Sequence, residues 1–176
     1  MLYLAYCADR PDTDAVRDEL IEAHWSYMDG FTLIARGPTL TDDGEFATGS
    51  VHVPELPSDE AARAFVTEEP NWRGGVYASA LLFRFTDRLG RTMWDFPGPD
   101  GDRFLVIALG GAPAPVPESP NLIVYGELHS LSTVEFAGTA ACVQAPDAAA
   151  AVAELPVAAL AGAEVAVHPW QFGGRR

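Results

Sequence analysis

The sequence predicts an α+β protein made of two βαββαβ units, the second lacking its first helix. Three observations predict it. Apolar runs of strand length and segments of helical spacing follow one another in the order βαββαβ over the first half. A similar order resumes after residue 102. Short matches also recur: Glu45-Phe46-Ala47-Thr48-Gly49-Ser50 is echoed by Glu135-Phe136-Ala137-Gly138-Thr139, and each is followed by a strand, a proline (Pro57 or Pro146) and an acidic helix start. The alternative is one larger α+β domain with coincidental alanine-rich matches.

Leu2–Cys7, rich in aromatic and aliphatic side chains, reads as the first strand. Residues 12–29 carry Val16, Leu20, Ile21, Trp25 and Met28 at helical spacing, with Asp12 and Asp14 where the helix dipole favours acids and Gly30 as a stop. Phe31–Arg36 is a second strand, ended by Gly37-Pro38, and a polar turn containing Thr41, Asp42 and Asp43 leads to a third strand over about 46–53. Ser58 caps a helix reaching Thr67, residues 69–75 read as a loop, and Ser79–Phe85 is a fourth strand. This is the ferredoxin-like order. Residues 94–102, with two prolines and two glycines among 94–101, read as a linker between units 1–93 and 103–176. The second unit predicts strands at Phe104–Leu109, Leu122–Leu128, Glu135–Val143 and Ala163–Val167, and an alanine helix capped by Asp147 and interrupted at Pro156. Pro113, Pro115, Pro117 and Pro120 forbid a helix between its first two strands.

Composition excludes several functions. The 176 residues carry a net charge of −14, and all 11 basic residues are arginine. Without lysine there is no Schiff base and no phosphate-loop lysine. Eleven scattered arginines among 25 acids make no nucleic-acid face, and an acidic surface avoids anionic membranes. No apolar run reaches the ~18 residues of a membrane span, and the N-terminus lacks the basic region of a signal peptide. Cys7 and Cys142, far apart in apolar stretches, read as buried thiols of a cytoplasmic protein. Neither a G-x-S-x-G motif nor a dinucleotide fingerprint occurs, and no cysteine–histidine cluster has zinc spacing.

His24, three residues after Ile21 and four after Leu20, falls on the apolar face of its helix and is expected to point toward the sheet. From spacing alone that position favours a satisfied core histidine over a catalytic one. Asp42, Asp43, Glu68 and Glu69 are the acids available to accompany it. A carboxylate beside an imidazole fixes its tautomer and stabilises its charged form, so the pair moves protons near neutral pH. His52 lies on the strand face opposite Val51 and Val53, while His129 and His168 lie at strand ends; no two histidines have ligand spacing.

The first half resembles the YCII-related (YciI-like) family. The opening MLYLAYCAD is similar to its first strand, and His24 stands at its histidine position. Ile34-Ala35-Arg36-Gly37-Pro38 resembles its strand ending in Gly-Pro, with Asp42 or Asp43 following where an aspartate is common. Thr48-Gly49-Ser50, the helix SDEAARAF, Glu69-Pro70 and Gly75-Val76-Tyr77 match its later elements in order. More faintly, the segment from His168 to Arg175 is similar to a common family C-terminus. The resemblance implies a dimeric α+β barrel in which one chain supplies both halves as a pseudo-dimer, a further homodimer remaining open. It also implies a site of histidine plus carboxylate in a pocket between sheet and helix. One departure stands out: the family's Asp-Pro aspartate is Glu69 here.

The expected function is acid–base chemistry of lyase, isomerase or dehydrochlorinase type on a small cyclic or aromatic substrate, without metal or organic cofactor. His24 acts as general base or acid and Glu69 or Asp43 orients it. Trp25, Ser50, Tyr77, Gly37 and Pro38 shape the substrate pocket. A non-catalytic small-molecule binding protein and a cofactor-free oxygenase are the alternatives.

Overall fold

In a computed structural model of the chain, which describes residues 1–174, eight strands form one antiparallel sheet. Strands β1 (Tyr3–Asp9), β2 (Leu33–Leu40), β3 (Ala47–Pro54) and β4 (Tyr77–Asp87) precede β5 (Arg103–Leu109), β6 (Leu122–His129), β7 (Phe136–Gln144) and β8 (Glu164–Pro169). Their spatial order is β2-β3-β1-β4-β6-β7-β5-β8. Strand β4 joins β6 between the pairs Arg84–His129 and Asp87–Gly126. The two outer edges meet where Thr39 of β2 bridges Trp170, just beyond β8. The sheet therefore curls back on itself, which removes much of the hazard of open strand edges.

Period-two alternation sends side chains to two faces. In β1, Leu4 and Tyr6 join an inner core with Val51, Phe85, Leu105, Ile107 and Trp170. Tyr3, Ala5 and Cys7 face outward beneath helices α1 (Asp14–Met28) and α2 (Asp59–Thr67), where Met28 and Phe65 pack. The second half builds a separate outer core from Phe104, Tyr125, Ala151 and Leu155 under α4 (Ala148–Ala153); α5 (Val157–Leu160) follows Pro156. Ser58 accepts from the Ala61 N–H and Asp147 from the Ala150 N–H, capping α2 and α4 where the sequence predicts caps. Residues 110–121 contain no helix.

Four local expectations change. Strand β2 does not end at Gly37-Pro38 but continues to Leu40. Pro38 to Leu40 pair with β3, and although Pro38 offers no N–H, its carbonyl also accepts from the Gln171 N–H of the C-terminal tail. Residues 69–75 are not a loop throughout: Pro70–Arg73 forms a short helix, α3, with proline at its first position, where its fixed φ and missing N–H cost nothing. Met93, at the linker boundary, is fully buried in the inner core and starts a turn of 3₁₀ helix ending at Asp95. Finally, the apolar positions of α1 pack only in part: Leu20 and Met28 join the outer core, while Val16 and Ile21 are exposed.

What α1 turns toward the sheet is the stripe Asp14, Arg17, Asp18, Ile21, His24, Trp25 and Met28, spaced by threes and fours, and it roofs a cavity. Polar links hold the helix over that space. Arg17 reaches Asp9 and Ser50, His24 reaches Glu69, and Arg36 reaches Asp29 at the helix end.

The tail crosses the same region. Beyond the Thr39–Trp170 bridge, the Gly173 N–H donates to the Arg36 carbonyl. Gly37, at φ 153°, lies beneath this crossing. A Cβ there would sit 2.9 Å from both Gly173 N and Trp170 Nε1 and closer still to the Gln171 carbonyl oxygen. Gly37→Ala is therefore expected to lower stability by about 1–3 kcal/mol, the range for strained backbone positions; urea denaturation measures it.

Candidate active site

The cavity has a volume of about 500 Å³. Its roof is the α1 stripe, its floor Arg36, Gly37 and Pro38 of β2 with Ser50 and His52 of β3, and its far wall Gln171–Gly174. Phe46, half exposed, stands at the rim. Pairing explains the floor. Arg36 lies opposite His52 and Pro38 opposite Ser50, so these four share one sheet face, opposite to Val51 and Val53.

His24 Nδ1 lies 2.5 Å from Glu69 Oε1. The other carboxylate oxygen, Oε2, accepts from the Trp72 N–H at 3.1 Å as the N-cap of α3. Glu69 is buried, so its position is fixed by a helix start on one side and the imidazole on the other. With Nδ1–H donating to Glu69, Nε2 is the ring nitrogen left for a ligand in the cavity. Asn71, also buried, lies 3.3 Å from His24 Nδ1 and donates to the Tyr77 hydroxyl at 3.3 Å. Its Oδ1 has no partner within the protein.

A second polar group occupies the other end of the floor. Arg17 Nη1 donates to both oxygens of Asp9 at 2.9 Å, and Nη2 donates to Ser50 Oγ at 2.6 Å. Burial pushes the Asp9 carboxyl up to about 6, with Asp14 and Glu69 adding to the rise and Arg17 opposing it. Burial likewise holds His52 well below the ordinary imidazole range, reinforced by His24, Arg17 and Arg36. His52 is a neutral ring whose centroid is 5.4 Å from that of His24. Burial raises the Tyr77 phenol, helped by the Glu69 charge, so it stays a neutral hydroxyl.

The structure thus brings together His24, Glu69, Trp25, Ser50, Gly37 and Pro38 of the residues singled out from sequence. It does not bring in Asp43, whose carboxylate is spent within its own exposed turn, accepting from the Thr41 hydroxyl and the Glu45 N–H. Those bonds also hold the Asp43 carboxyl below its usual range. Tyr77 is not a wall residue either: it is buried behind Asn71, because β4 lies on the far side of β1 from the cavity floor. Sequence reading missed Arg17, Asn71 and the tail. Arg17 had a signal, since it stands seven residues before His24 on the same helix face. Among the described residues no three His, Cys, Asp or Glu side chains gather as a metal site.

The model of the YCII-related domain matches residues 1–86. A 5-chloro-2-hydroxyhydroquinone dehydrochlorinase from Burkholderia phenoliruptrix AC1100, solved with 2,5-dihydroxybenzoquinone, is 30% identical over 49% of this chain and 94% of its own, with a TM-score of 0.46. The chain belongs to the YCII-related family. Two further solved structures span nearly all of it. A chlorite dismutase-like protein is 10% identical, with TM-score 0.55, covering 97% of this chain and 95% of its own. An anthrone oxidase-like protein is 14% identical, with TM-score 0.53, covering 98% and 90%. These two share the fold, that of the dimeric α+β barrels. No curated protein sequence matches the chain.

In this YCII-related chain the raised Asp9 carboxyl predicts a pH effect. A carboxyl whose folded pKa lies above its unfolded value favours folding below the unfolded value, near 4, and loses that contribution as pH rises through about 6. Compared with Asp9→Asn, wild-type stability should fall across pH 4–6 and the difference level off above it. Paired urea titrations over that range measure the effect.

Proposed function

We propose that the chain is an acid–base enzyme of lyase or isomerase type acting on a small cyclic or aromatic molecule. The observation that carries this reading is the 2.5 Å contact between His24 Nδ1 and Glu69 Oε1 at the edge of a cavity of about 500 Å³. The buried carboxylate fixes the Nδ1–H tautomer, so Nε2 carries the lone pair that takes a proton from substrate. When Nε2 is protonated, the carboxylate stabilises the imidazolium until the proton is returned. The extra methylene of Glu69 relative to the family's aspartate is accommodated because the residue also caps α3, which sets where its oxygens lie. The dehydrochlorinase relative, with its dihydroxyquinone, supports a flat oxygenated ring as the substrate shape.

The chain is further read as a fused pseudo-dimer, with units 1–93 and 103–176 joined by 94–102. Its support is that both halves order their strands second, third, first, fourth. The registers agree as well: Gly37 faces Val51 as Gly126 faces Ala140, and Thr39 faces Gly49 as Leu128 faces Gly138. That correspondence is one residue out from the echo in the sequence, since it aligns Ala47, not Phe46, with Phe136. By the same registers, Tyr125, Thr139 and Ala141 occupy the positions of Arg36, Ser50 and His52. With no helix over residues 110–121 to supply a second histidine, one site per chain remains.

His24→Ala is expected to lower kcat by about 10²–10⁴-fold, the usual contribution of a general acid or base. Glu69→Gln, which keeps an oxygen for the Trp72 N–H, should lower kcat more than it raises KM. Turnover of a panel of hydroxylated and halogenated cyclic compounds, with circular dichroism to verify folding, measures both. Undiminished turnover by His24→Ala would remove the proposal.

A further inference from the structure

On the cavity floor, the Ser50 hydroxyl lies between the Arg17 guanidinium and the Tyr77 phenol; Tyr77 accepts from Asn71 and so has its own proton to give to the second lone pair of Ser50 Oγ, which leaves the Ser50 proton for the cavity. Ser50 Oγ accepts from Arg17 Nη2 at 2.6 Å, and Ser50 is buried on the cavity floor. A hydroxyl that accepts from a guanidinium has its proton polarised and available to an acceptor in the cavity. Arg17 is itself held firmly. Two bonds to Asp9 fix Nη1, and Nη2 also reaches the Gly49 carbonyl at 3.3 Å. The remaining charges around the cavity do not duplicate this arrangement. Asp14, Asp18 and Glu45 are exposed at the rim, where water screens them, and Arg36 is paired with Asp29 at the helix end. Ser50 and His52 are two residues apart on one strand face, about 7 Å, and the His52 ring lies against that of His24. A six-membered ring with oxygen substituents spans such a distance.

We propose that Ser50, polarised by Arg17, is the oxyanion-binding pole of the site, so that the ligand class is a ring bearing an enolic or phenolic oxygen that becomes or remains negatively charged. This rests on the acid–base reading of His24 and deepens it. When Nε2 removes a proton, the electron pair left behind settles on the ring oxygen, and the Ser50 hydroxyl donates to that oxygen. Ser50 is then a catalytic residue and Arg17 a positioning residue acting through it. Preorganised donors of this kind cost no rearrangement during the reaction.

The test is binding rather than turnover, so it stands or falls separately from His24. 4-Nitrophenol is colourless and its phenolate yellow. Its absorbance while bound, followed across pH, gives the ionisation of the bound phenol. The wild-type protein is expected to lower the pKa of the bound phenol by about one pH unit or more, the scale set by a favourable neighbouring charge. Ser50→Ala and Arg17→Met should abolish the shift, Arg17→Lys should restore part of it, and His24→Ala should retain it. If Arg17→Met does not fold, Ser50→Ala, which removes one oxygen atom, decides alone. A shift that survives in Ser50→Ala, a shift lost in His24→Ala alone, or no saturable binding of 4-nitrophenol to wild type would each overturn the proposal. Loss of turnover in His24→Ala with the shift intact supports both readings; unchanged turnover there with the shift intact sinks the acid–base reading and leaves the oxyanion pole standing.

Discussion

The site depends on how Glu69 divides its two carboxylate oxygens. One accepts the Trp72 N–H of α3, and the other receives His24. A buried carboxylate is costly unless both oxygens are satisfied. Here the two partners belong to different elements, so the same requirement fixes α3 against α1. This contact does part of the work usually left to apolar packing. The face of α1 over the cavity has Met28 as its one fully buried side chain, and the helix is secured by His24, Arg17 and Asp29 along its length. A helix attached at polar points rather than by a continuous apolar stripe can stand clear of the sheet, which leaves room for a ligand.

The two halves use their outer faces differently for the same reason. In the second half residues 110–121 form no helix, and Tyr125 and Ala141 belong to an apolar core. In the first half Arg36 and His52 lie at the floor of a cavity. The inner face behaves alike in both halves, as a single apolar core shared across the sheet.

Much of this was legible in the sequence wherever a local rule decided the outcome. The strands follow apolar runs, Ser58 and Asp147 cap their helices, and four prolines exclude a helix over residues 110–121. His24 and Glu69 were both candidates, because a histidine on an apolar helix face needs a partner. What sequence could not rank was Glu69 against Asp43. The choice turns on α3, whose proline start looks like a loop until Glu69 is seen to cap it. Arg17 shares the helix face of His24, but its role needs Asp9 and Ser50 brought in from two strands, which one of eleven arginines does not announce. The echo between residues 45–50 and 135–139 lies one residue out from the strand registers of the two halves. Alanine-rich strands carry few side chains large enough to fix a one-residue slip by inspection.

The tail that crosses β2 has a consequence for the order in which this site comes into being. The wall formed by Gln171–Gly174 is joined to Arg36 and Pro38 by hydrogen bonds between parts of the chain that leave the ribosome far apart in time. The first four strands can pair early, but the cavity stays open on one side until the tail has been synthesised and docked. During translation the nascent polypeptide therefore carries His24 and Glu69 in a chamber that stays open on one side until residues 171–174 dock.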